Sequence, residues 1–564
     1  MNLSSISLIS LFCIAAILAK GSALPQLSSS LGPVVNLGYA AFAGNSTSPS
    51  GEVNGPVTFF GGIPYAKPPI GDLRSRAPVP LDEKVVDEGN VTITDARNWG
   101  SLCIQQPAQV GIGSEDCLTL NVWKPTDAKE GDKLPVIVYI HTPQGFPLYD
   151  WVNQSKTKIA GVTIAYHLNL LGFLAGDAVQ HDGDLNVGLL DQRAALEWVQ
   201  RHITKFGGDP DQVTIDGQSA GGGSVIMQMV AFADQRDSCR AIGQSMGHNS
   251  TPTAEEAEAA FRTVTEVVGC SASGPESMPC LRRASVGAIV AAINAVPGVP
   301  PGPVIDGPSG ILPDLPASLV LSGNFTPVDI VAGHCTTEGR TLLPPPDELV
   351  TEEDVVRDVL GDWPHLTNET IQQALALYPA PGTPGSPYRT QYNRAGTIAQ
   401  DMMVGCLDCL LASKSREERK KPRMYSPTDS ILQIRFYSPN FRFKVNNVRM
   451  TLVSADRCYQ THIQHISSAP NAGFTFTPFN STEGALSKES LAFWTSFIST
   501  GNPSASRELI SPEWLPFSSG SRMVLNQPTN SSLMSASIME VTPPDEVERC
   551  KFWMSENVMR QTRL

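Results

Sequence analysis

Residues 186–225 read NVGLLDQRAALEWVQRHITKFGGDPDQVTIDGQSAGGGSV and contain a helix, a strand and a second helix in close succession. Apolar side chains recur every three or four positions over 191–206, which predicts a helix with one apolar face. These positions are Leu196, Val199, Ile203 and Phe206. The residues Gly-Gly-Asp-Pro at 207–210 end this helix. A short strand, VTID (213–216), follows, and SVIMQMV (224–230) opens the second helix.

Between the strand and the second helix lies Gly217-Gln218-Ser219-Ala220-Gly221, which matches the pattern G-x-S-x-G. The pattern allows a very tight turn that lifts the serine hydroxyl above the sheet. Glycines at both ends let the neighbouring backbone pass without a Cβ clash. In a chain with 47 glycines the pattern alone is a weak signal, and the strand before it and the helix after it give it weight. We therefore predict that Ser219 is a nucleophile.

The alternation of strand and helix signals extends in both directions from this segment. Continuous apolar runs predict strands at VIVYI (136–140), GVTIAY (161–166), DIVAG (329–333) and ILQIRFY (431–437), and a final helix is expected over 488–499. Buried strands separated by helices predict an α/β protein, with a parallel sheet that helices cover on both faces.

The segment 186–225 closely resembles the type-B carboxylesterase/lipase family, which includes the cholinesterases and fungal lipases. Supporting stretches occur in the family's order: FFGGIPYAKPPIGDLR (59–74), SEDCLTLNVW (114–123), LLGFL (170–174), FWTSFISTGNP (493–503) and WLPF (514–517). The resemblance implies one α/β-hydrolase domain over 24–564, with a large, mostly parallel central sheet. It also implies a serine carboxylic ester hydrolase that forms an acyl-enzyme and needs no metal or cofactor.

A serine nucleophile needs a base, and the base needs an orienting carboxylate, in the chain order serine, acid, histidine for this fold. The segment 329–343 resembles the family's strand that leads into the acid, and Glu338 stands at the acid position. CYQTHIQHI (458–466) resembles the family's histidine loop. It makes His462 the expected base, with His465 as the alternative.

The family's oxyanion loop, H-G-G-G-F, is altered here to HTPQGF (141–146). Pro143 has no N–H group to donate. The resemblance implies that Ala220, Gly145 and Gln144 supply the backbone donors. Loss of one such donor costs about 3 kcal/mol of transition-state stabilisation. A binding protein on the same fold, with little or no activity, is therefore the alternative from another functional class.

A second departure lies in AYHLNLLGFL (165–174). The family usually has Arg at the position of His167, paired with the acid of its EDC motif, here Glu115 or Asp116. A histidine at this position forms an ion pair only when it is protonated. We expect His167 to be a buried structural histidine with satisfied hydrogen bonds.

Residues 6–19 are the one long apolar run, about 14 residues, which fits the core of a signal peptide better than a membrane span. Cleavage is expected near Ala23, giving a signal peptide at 1–23, a secreted protein and no membrane-spanning segment after it. Sequons for N-glycosylation occur at Asn45, Asn90, Asn153, Asn249, Asn324, Asn368, Asn480 and Asn530.

Ten of the eleven cysteines lie after the apolar run, an even number that allows five disulfides in an exported protein. Two pairs are close enough in sequence to propose, Cys103 with Cys117 and Cys270 with Cys280, and the family has disulfides of this kind. The pairing of the others stays open: Cys239, Cys335, Cys406, Cys409, Cys458 and Cys550. The lone pair Cys406 and Cys409 has no second ligand pair for zinc.

The chain has 564 residues, with 41 Lys and Arg against 55 Asp and Glu, so its formal net charge is −14. This acidity excludes an electrostatic footprint for nucleic acid or an anionic membrane surface. The expected partner is a small-molecule ester. Because the loop from Cys103 to Cys117 is short, we favour short-to-medium acyl esters over the substrates of an interfacial lipase or sterol esterase.

Overall fold

The computed structural model describes residues 28–564, except 86–90, 142–145, 233–238, 248–249, 297–301, 337, 362, 421–430, 438–480, 518–519 and 527–534. The predicted signal peptide, the oxyanion donors Gln144 and Gly145, and both candidate bases, His462 and His465, lie outside the described residues.

Strands form wherever the apolar runs predicted them, and several more flank these. Their bounds are β1 Val34–Asn36, β2 Ala41–Ala43, β3 Val57–Pro64, β4 Ile93–Asp95, β5 Thr119–Pro125, β6 Leu134–Ile140, β7 Ala160–Ile164, β8 Gly208–Gln218, β9 Arg240–Gln244, β10 Asp329–Cys335, β11 Ile431–Tyr437, β12 Ser521–Asn526 and β13 Ile538–Val541.

The large sheet has ten strands in the order β13-β12-β11-β10-β9-β8-β6-β7-β5-β3, and β1, β2 and β4 form a small separate sheet. Its central pairs, from β12 to β7, are parallel, and the pairs at its two ends are antiparallel. The predicted fold class, α/β with a large and mostly parallel sheet, is therefore confirmed.

Helices connect the strands, as the crossovers of a parallel sheet require. Their bounds are α1 Tyr149–Gln154, α2 Asn169–Phe173, α3 Asp177–Asp182, α4 Val187–His202, α5 Ala220–Ala231, α6 Ala254–Val268, α7 Ser277–Arg283, α8 Val286–Ala295, α9 Pro316–Ser322, α10 Glu352–Val355, α11 Asn368–Leu377, α12 Gln391–Gln400, α13 Cys406–Lys420, α14 Ser481–Thr500, α15 Pro544–Trp553 and α16 Glu556–Thr562. Turns of 3₁₀-helix lie at Gly71–Leu73, Ile203–Phe206 and Glu338–Leu342, and π-helical segments at Val356–Leu360 and Asp401–Gly405.

The two faces of the sheet carry separate apolar cores. Along β6, Val136, Val138 and Ile140 point into a core that also contains residues of α4 and α5. The alternate residues Ile137 and Tyr139 belong to a second core, which α1 and α14 cover. This alternation is what a strand buried on both faces requires.

Element boundaries differ from the prediction at several elements, and two helices show the reasons. The helix after Ser219 begins at Ala220 rather than at 224, because the small residues that follow Ser219 already turn helically. The helix expected to be final, 488–499, runs from Ser481 to Thr500 and is not final, since α15 and α16 follow it. Those two helices are too short to produce a long apolar periodicity in the sequence.

Three disulfides are present among the described cysteines: Cys103–Cys117, Cys270–Cys280 and Cys406–Cys550. The first two are the proposed pairs. The third joins α13 to α15 across 144 residues of sequence. Cys239 carries a free thiol, so the even number of cysteines does not translate into five disulfides.

The helical stretch Gln391–Ser415 is long and apolar enough to cross a membrane by length and composition. No membrane-spanning segment was expected after Ala23, and this stretch meets the criterion by length and composition alone. Inside the fold, 83% of its most apolar window is buried, as in a core helix of a globular protein.

Candidate active site

The residues 217–221 form a sharp turn between β8 and α5, which we call the elbow. Ser219 has φ 54° and ψ −120°, a strained conformation for a residue with a side chain. Such strain is characteristic of a nucleophile elbow, in which the serine is exposed at the top of the sheet. The N–H group of Ser219 donates to the carbonyl oxygen of Gln244 at 3.0 Å, which anchors the turn to β9.

The two glycines of the elbow are required by close backbone contacts. A Cβ atom on Gly217 would lie 2.3 Å from the carbonyl oxygen of Gly221. A Cβ atom on Gly221 would lie 1.9 Å from the carbonyl oxygen of Ile140, at the end of β6. No side chain fits at either position, so the G-x-S-x-G pattern here has the structural cause that the sequence suggested.

A cavity of about 750 Å³ opens beside the elbow, and Ala220, Gly223 and Gly247 line it. Ser219 is half-buried, and its Oγ lies 3.6 Å from the position that a Cβ on Gly247 would take. Much of the wall is apolar, including Leu168, Phe173, Leu174, Leu189, Met227 and Val304. A concave apolar cavity beside a strained serine is the arrangement expected of a substrate pocket.

Polar groups line the rest of the cavity. Gln105 and Gln106, from the loop closed by the Cys103–Cys117 disulfide, stand on one wall, and Glu256 on another. His141 also lines the cavity, and its burial lowers its pKa to about 4. A neutral imidazole therefore stands where the predicted oxyanion loop begins.

The start of that loop lies against the elbow. The Cβ of His141 is 3.3 Å from the position that a Cβ on Gly221 would take. Ala220 is the first residue of α5, and the N–H groups of a helix's first turn have no partner within the helix. The structure thus brings Ala220 to the edge of the cavity, next to the point from which residues 142–145 continue.

Glu338 lies directly after β10, in the 3₁₀ turn Glu338–Leu342, and is 8% exposed. Its Oε2 accepts a hydrogen bond from Ser245 Oγ at 2.7 Å and another from the Cys335 N–H at 3.0 Å. These two donors fix the direction of the carboxyl group. Burial raises the pKa of Glu338, and His334, the Ser245 hydroxyl and the Cys335 N–H partly offset that rise.

The carboxyl ends of β8 and β10 meet at the same edge of the sheet, with β9 between them. Ser219 follows β8, Ser245 follows β9, and Glu338 follows β10. The sheet thus brings the predicted nucleophile and the predicted acid to one edge, where active sites of open α/β sheets are found.

His167 is buried and is held between two acceptors. Its Nδ1 lies 2.8 Å from Asp191 Oδ2, and its Nε2 lies 3.2 Å from the backbone oxygen of Glu115. Burial lowers the pKa of this imidazole, but Asp191 and Glu115 together outweigh burial and raise the pKa overall. His167 is the structural histidine that we expected, although its carboxylate partner is Asp191.

The carboxylate of Glu115, in the EDC motif, does not pair with the residue at the position of His167, where the related family has its arginine. Glu115 forms a bidentate ion pair with Arg74, at 2.6 and 2.8 Å, and both side chains are buried. Arg74 ends the segment 59–74 that the family resemblance singled out, so the signal was available in the sequence.

Sequence reasoning missed a buried carboxyl group in the strand that carries the nucleophile. Asp216 is fully buried in β8, in register with Tyr139 and Ile242 of the second apolar core. Gln244 Nε2 donates to its Oδ1 at 2.8 Å, and its Oδ2 has no partner among the described residues. Burial raises the pKa of Asp216 to about 7.

We expect Asp216→Asn to stabilise the protein at alkaline pH and to have little effect near pH 4. The pKa in the folded state lies above the unfolded value of 3.8, so the folded state holds its proton more tightly. Wild-type stability therefore falls as pH rises from about 4 to 7, and the neutral amide escapes this loss. The gain above pH 7 should be on the order of 1–4 kcal/mol.

Denaturant midpoints of both proteins at several pH values measure this difference. Asp211→Asn, at an exposed position of the same strand, is the matched control and should show no such trend. A difference between Asp216→Asn and wild type that is the same at pH 4 and pH 8 would contradict the assignment.

The described residues contain no group of three or more His, Cys, Asp or Glu side chains placed to hold a metal ion.

Comparison with known proteins identifies the family. The model of the "Carboxylesterase family" matches residues 32–553. "Secreted triacylglycerol lipase LIP1" of Gibberella zeae is 34% identical over 415 residues, which cover 63% of this chain and 69% of the lipase. "Carboxylesterase 1E" of Mus musculus is 27% identical over 555 residues, which cover 89% of this chain and 90% of that protein.

The fold is shared as well. The crystal structure of Aspergillus niger EstA superposes with a TM-score of 0.77 at 28% sequence identity, and covers 94% of this chain and 99% of its own. The resemblance seen in the sequence is thereby confirmed. Since the family model runs across almost the whole chain, the protein belongs to the carboxylesterase family and is a carboxylic ester hydrolase.

Proposed function

We propose that this protein is a secreted serine esterase that works through Ser219, His462 and Glu338. Ser219 Oγ attacks the ester carbonyl carbon while His462 takes its proton. The alcohol leaves with a proton from His462, and water activated by His462 then releases the acid from Ser219. Glu338 orients the imidazole and stabilises its charged form.

The observation that carries this proposal is the strained serine of the elbow at the edge of an apolar cavity. Ser219 has a strained backbone, and neither elbow glycine has room for a Cβ atom. Such strain is typical of functional sites rather than of purely structural turns. The buried, doubly hydrogen-bonded Glu338 on the same sheet edge supports the role of acid.

We propose Ala220, Gly145 and Gln144 as the donors of the oxyanion hole. Ala220 is the first residue of α5 and lines the cavity, which supports its assignment as a donor. The loop that holds Gln144 and Gly145 continues from His141, which contacts the elbow.

For the substrate, we propose esters of short-to-medium acyl chains. The apolar wall suits an acyl chain, and a cavity of about 750 Å³ is within the range of sites for small molecules. The loop 103–117 is closed by a disulfide and contributes Gln105 and Gln106 to the wall, so it is a fixed part of the cavity.

Interfacial lipase activity is the second candidate, and a specific feature favours it. Two apolar side chains of the loop 103–117 face solvent, Val110 at 71% and Ile112 at 59% exposure. The Gibberella zeae relative named above carries the name lipase, and so does another similar protein, "Lipase 1" of Geotrichum candidum. An exposed apolar pair beside a substrate cavity suits contact with an oil surface.

Hydrolysis of p-nitrophenyl esters from acetate to palmitate separates these candidates. We expect kcat/KM to be highest for esters between butyrate and octanoate. The rate should change smoothly with ester concentration as that concentration passes the solubility limit. A sharp rise on emulsified palmitate, lost in the Val110→Ser, Ile112→Ser double variant, would establish the lipase instead. No turnover of any ester by the folded protein would favour a binding protein with an impaired oxyanion hole.

We further propose one catalytic domain over 24–564, preceded by a signal peptide at 1–23, in a secreted glycoprotein. The three disulfides suit an oxidising compartment. Among the described sequons, Asn153, Asn324 and Asn368 are exposed and accessible to glycosylation.

A further inference from the structure

A second buried pair of titratable groups lies beside Glu338, and the proposed mechanism does not use it. His334, in β10, is 2% exposed, and Asp408, on α13, is fully buried. His334 Nδ1 and Asp408 Oδ2 are 2.7 Å apart. A buried imidazole and carboxylate at this distance form a charge-assisted hydrogen bond when both are ionised.

The pair is connected to Glu338 through the backbone. Cys335, the residue after His334, donates its N–H to Glu338 Oε2 at 3.0 Å. The imidazole and the two carboxyl groups are close enough to interact electrostatically: His334 lowers the pKa of Glu338, and Glu338 raises that of Asp408. The three groups therefore form one buried cluster, which we call the acid cluster: His334, Glu338 and Asp408.

The helix that carries Asp408 is shaped to reach the imidazole. The π-helical segment Asp401–Gly405 immediately precedes α13. A Cβ on Gly405 would lie 3.2 Å from His334 Cε1 and 3.4 Å from its Nε2, tighter than most side-chain contacts. The backbone of the π-helical segment thus packs against the edge of the ring, and π-helical insertions are frequent at functional sites.

The charges around His334 favour its protonated form. Burial lowers its pKa, but Asp408, Glu338 and Glu546 raise it and outweigh burial. Glu546 is itself paired with Arg522. On the other neighbouring strand, Arg435 of β11 is in register with His334.

Asp408 supports the same conclusion from the other side. Its pKa is raised to about 6 by burial, against the opposing effect of His334. Each partner's charge favours the charged form of the other, which favours an imidazolium paired with a carboxylate. The charge of His334 lowers the pKa of Glu338, against the larger effect of burial.

We infer that His334, held by Asp408, is a positioning residue for Glu338: its buried positive charge keeps the Glu338 carboxylate ionised so that it can serve the base. The inference rests on the proposed role of Glu338 as the triad acid. Burial raises the pKa of Glu338, and the acid can stabilise the imidazolium of the base only while it is ionised. Loss of the His334 charge should therefore be felt most at low pH.

The test is the pH profile of kcat and KM, from about pH 5 to 9, for p-nitrophenyl butyrate. In His334→Gln the acidic limb of kcat should move to higher pH, because the pKa of Glu338 rises. A shift of one pKa unit lowers kcat about tenfold on the acidic side and leaves the alkaline plateau near wild type. KM should change less than about twofold, since the acid cluster does not line the cavity.

Asp408→Asn is the second variant, since it keeps the shape of the side chain and leaves His334 in place. Without its carboxylate partner the imidazole loses its charge at lower pH, so the limb should move in the same direction. Arg435→Gln is the matched control, because it removes a basic residue at the β11 position in register with His334. Its profile should equal that of wild type, and a shift there in place of His334→Gln would assign the charge to Arg435 and overturn the inference.

Circular dichroism and thermal unfolding show whether the variants fold. Wild-type profiles in folded His334→Gln and Asp408→Asn would overturn the inference, and failure of both to fold would replace it with a structural role. Failure of the proposed function is distinct: Glu338→Gln would then keep wild-type activity, whatever the His334 variants do.

Discussion

Replacing Ser219 with alanine should lower kcat by about five to six orders of magnitude, with KM little changed. In the proposed mechanism the variant loses the atom that forms the acyl-enzyme, and because triad members act as a unit, nothing else takes over the attack. The remaining turnover comes from the cavity and the oxyanion donors alone. The positive φ of 54° is already accommodated, so alanine should fold into the same elbow.

Two measurements check this expectation. Turnover of p-nitrophenyl butyrate should vanish in the variant, and a fluorophosphonate probe should label wild type at one serine and leave Ser219→Ala unlabelled. Ser322→Ala, an exposed position at the end of α9, is the control and should behave as wild type. Persistent hydrolysis by folded Ser219→Ala would place the chemistry elsewhere and refute the triad.

Glu338→Gln should lower kcat by roughly four orders of magnitude, as removal of the orienting carboxylate does in other serine hydrolases. The amide oxygen can still accept from Ser245 and Cys335, as Oε2 does now. That geometry keeps the side chain in place and turns its NH₂ group, a donor, to where the carboxylate offers its second oxygen. A base that needs an acceptor is then held in the wrong tautomer.

Glu256→Gln is the matched control, because it removes one negative charge from a carboxyl group that lines the cavity, which Glu338 does not. Glu256 caps α6 by accepting the Thr253 N–H, and glutamine can keep that bond. Its activity should stay within about tenfold of wild type. Equal losses in the two variants would show that general charge at the cavity, rather than the position of Glu338, controls the rate.

The sequence predicted those parts of the fold whose cause is local. The elbow follows from two glycines and a serine between a strand and a helix, and each glycine is indeed excluded from having a side chain by a neighbour. Leu196, Val199, Ile203 and Phe206 were predicted from their spacing alone and are all buried. In these cases the residues of one short segment are enough to predict its structure.

The parts that escaped prediction depend on residues far apart in the chain. The Cys406–Cys550 disulfide and the His334–Asp408 pair join elements separated by 144 and 74 positions, and no local pattern links the partners. Asp216 was missed for another reason. An acidic side chain in a short strand is expected to face solvent, but both faces of this central strand are covered, so Asp216 is buried. The catalytic roles of Ser219, Glu338 and His462 stay predictions, as do the donor roles of Ala220, Gln144 and Gly145.

The Cys406–Cys550 disulfide also determines what limited proteolysis can do to this enzyme. Residues 421–480, which include the proposed base His462, lie in sequence between the two cysteines. A single cut anywhere in that interval leaves two polypeptides that the Cys406–Cys550 disulfide still joins. The nicked enzyme therefore migrates as one molecule until it is reduced, and its two pieces, one with Ser219 and one with the C-terminal helices, cannot diffuse apart.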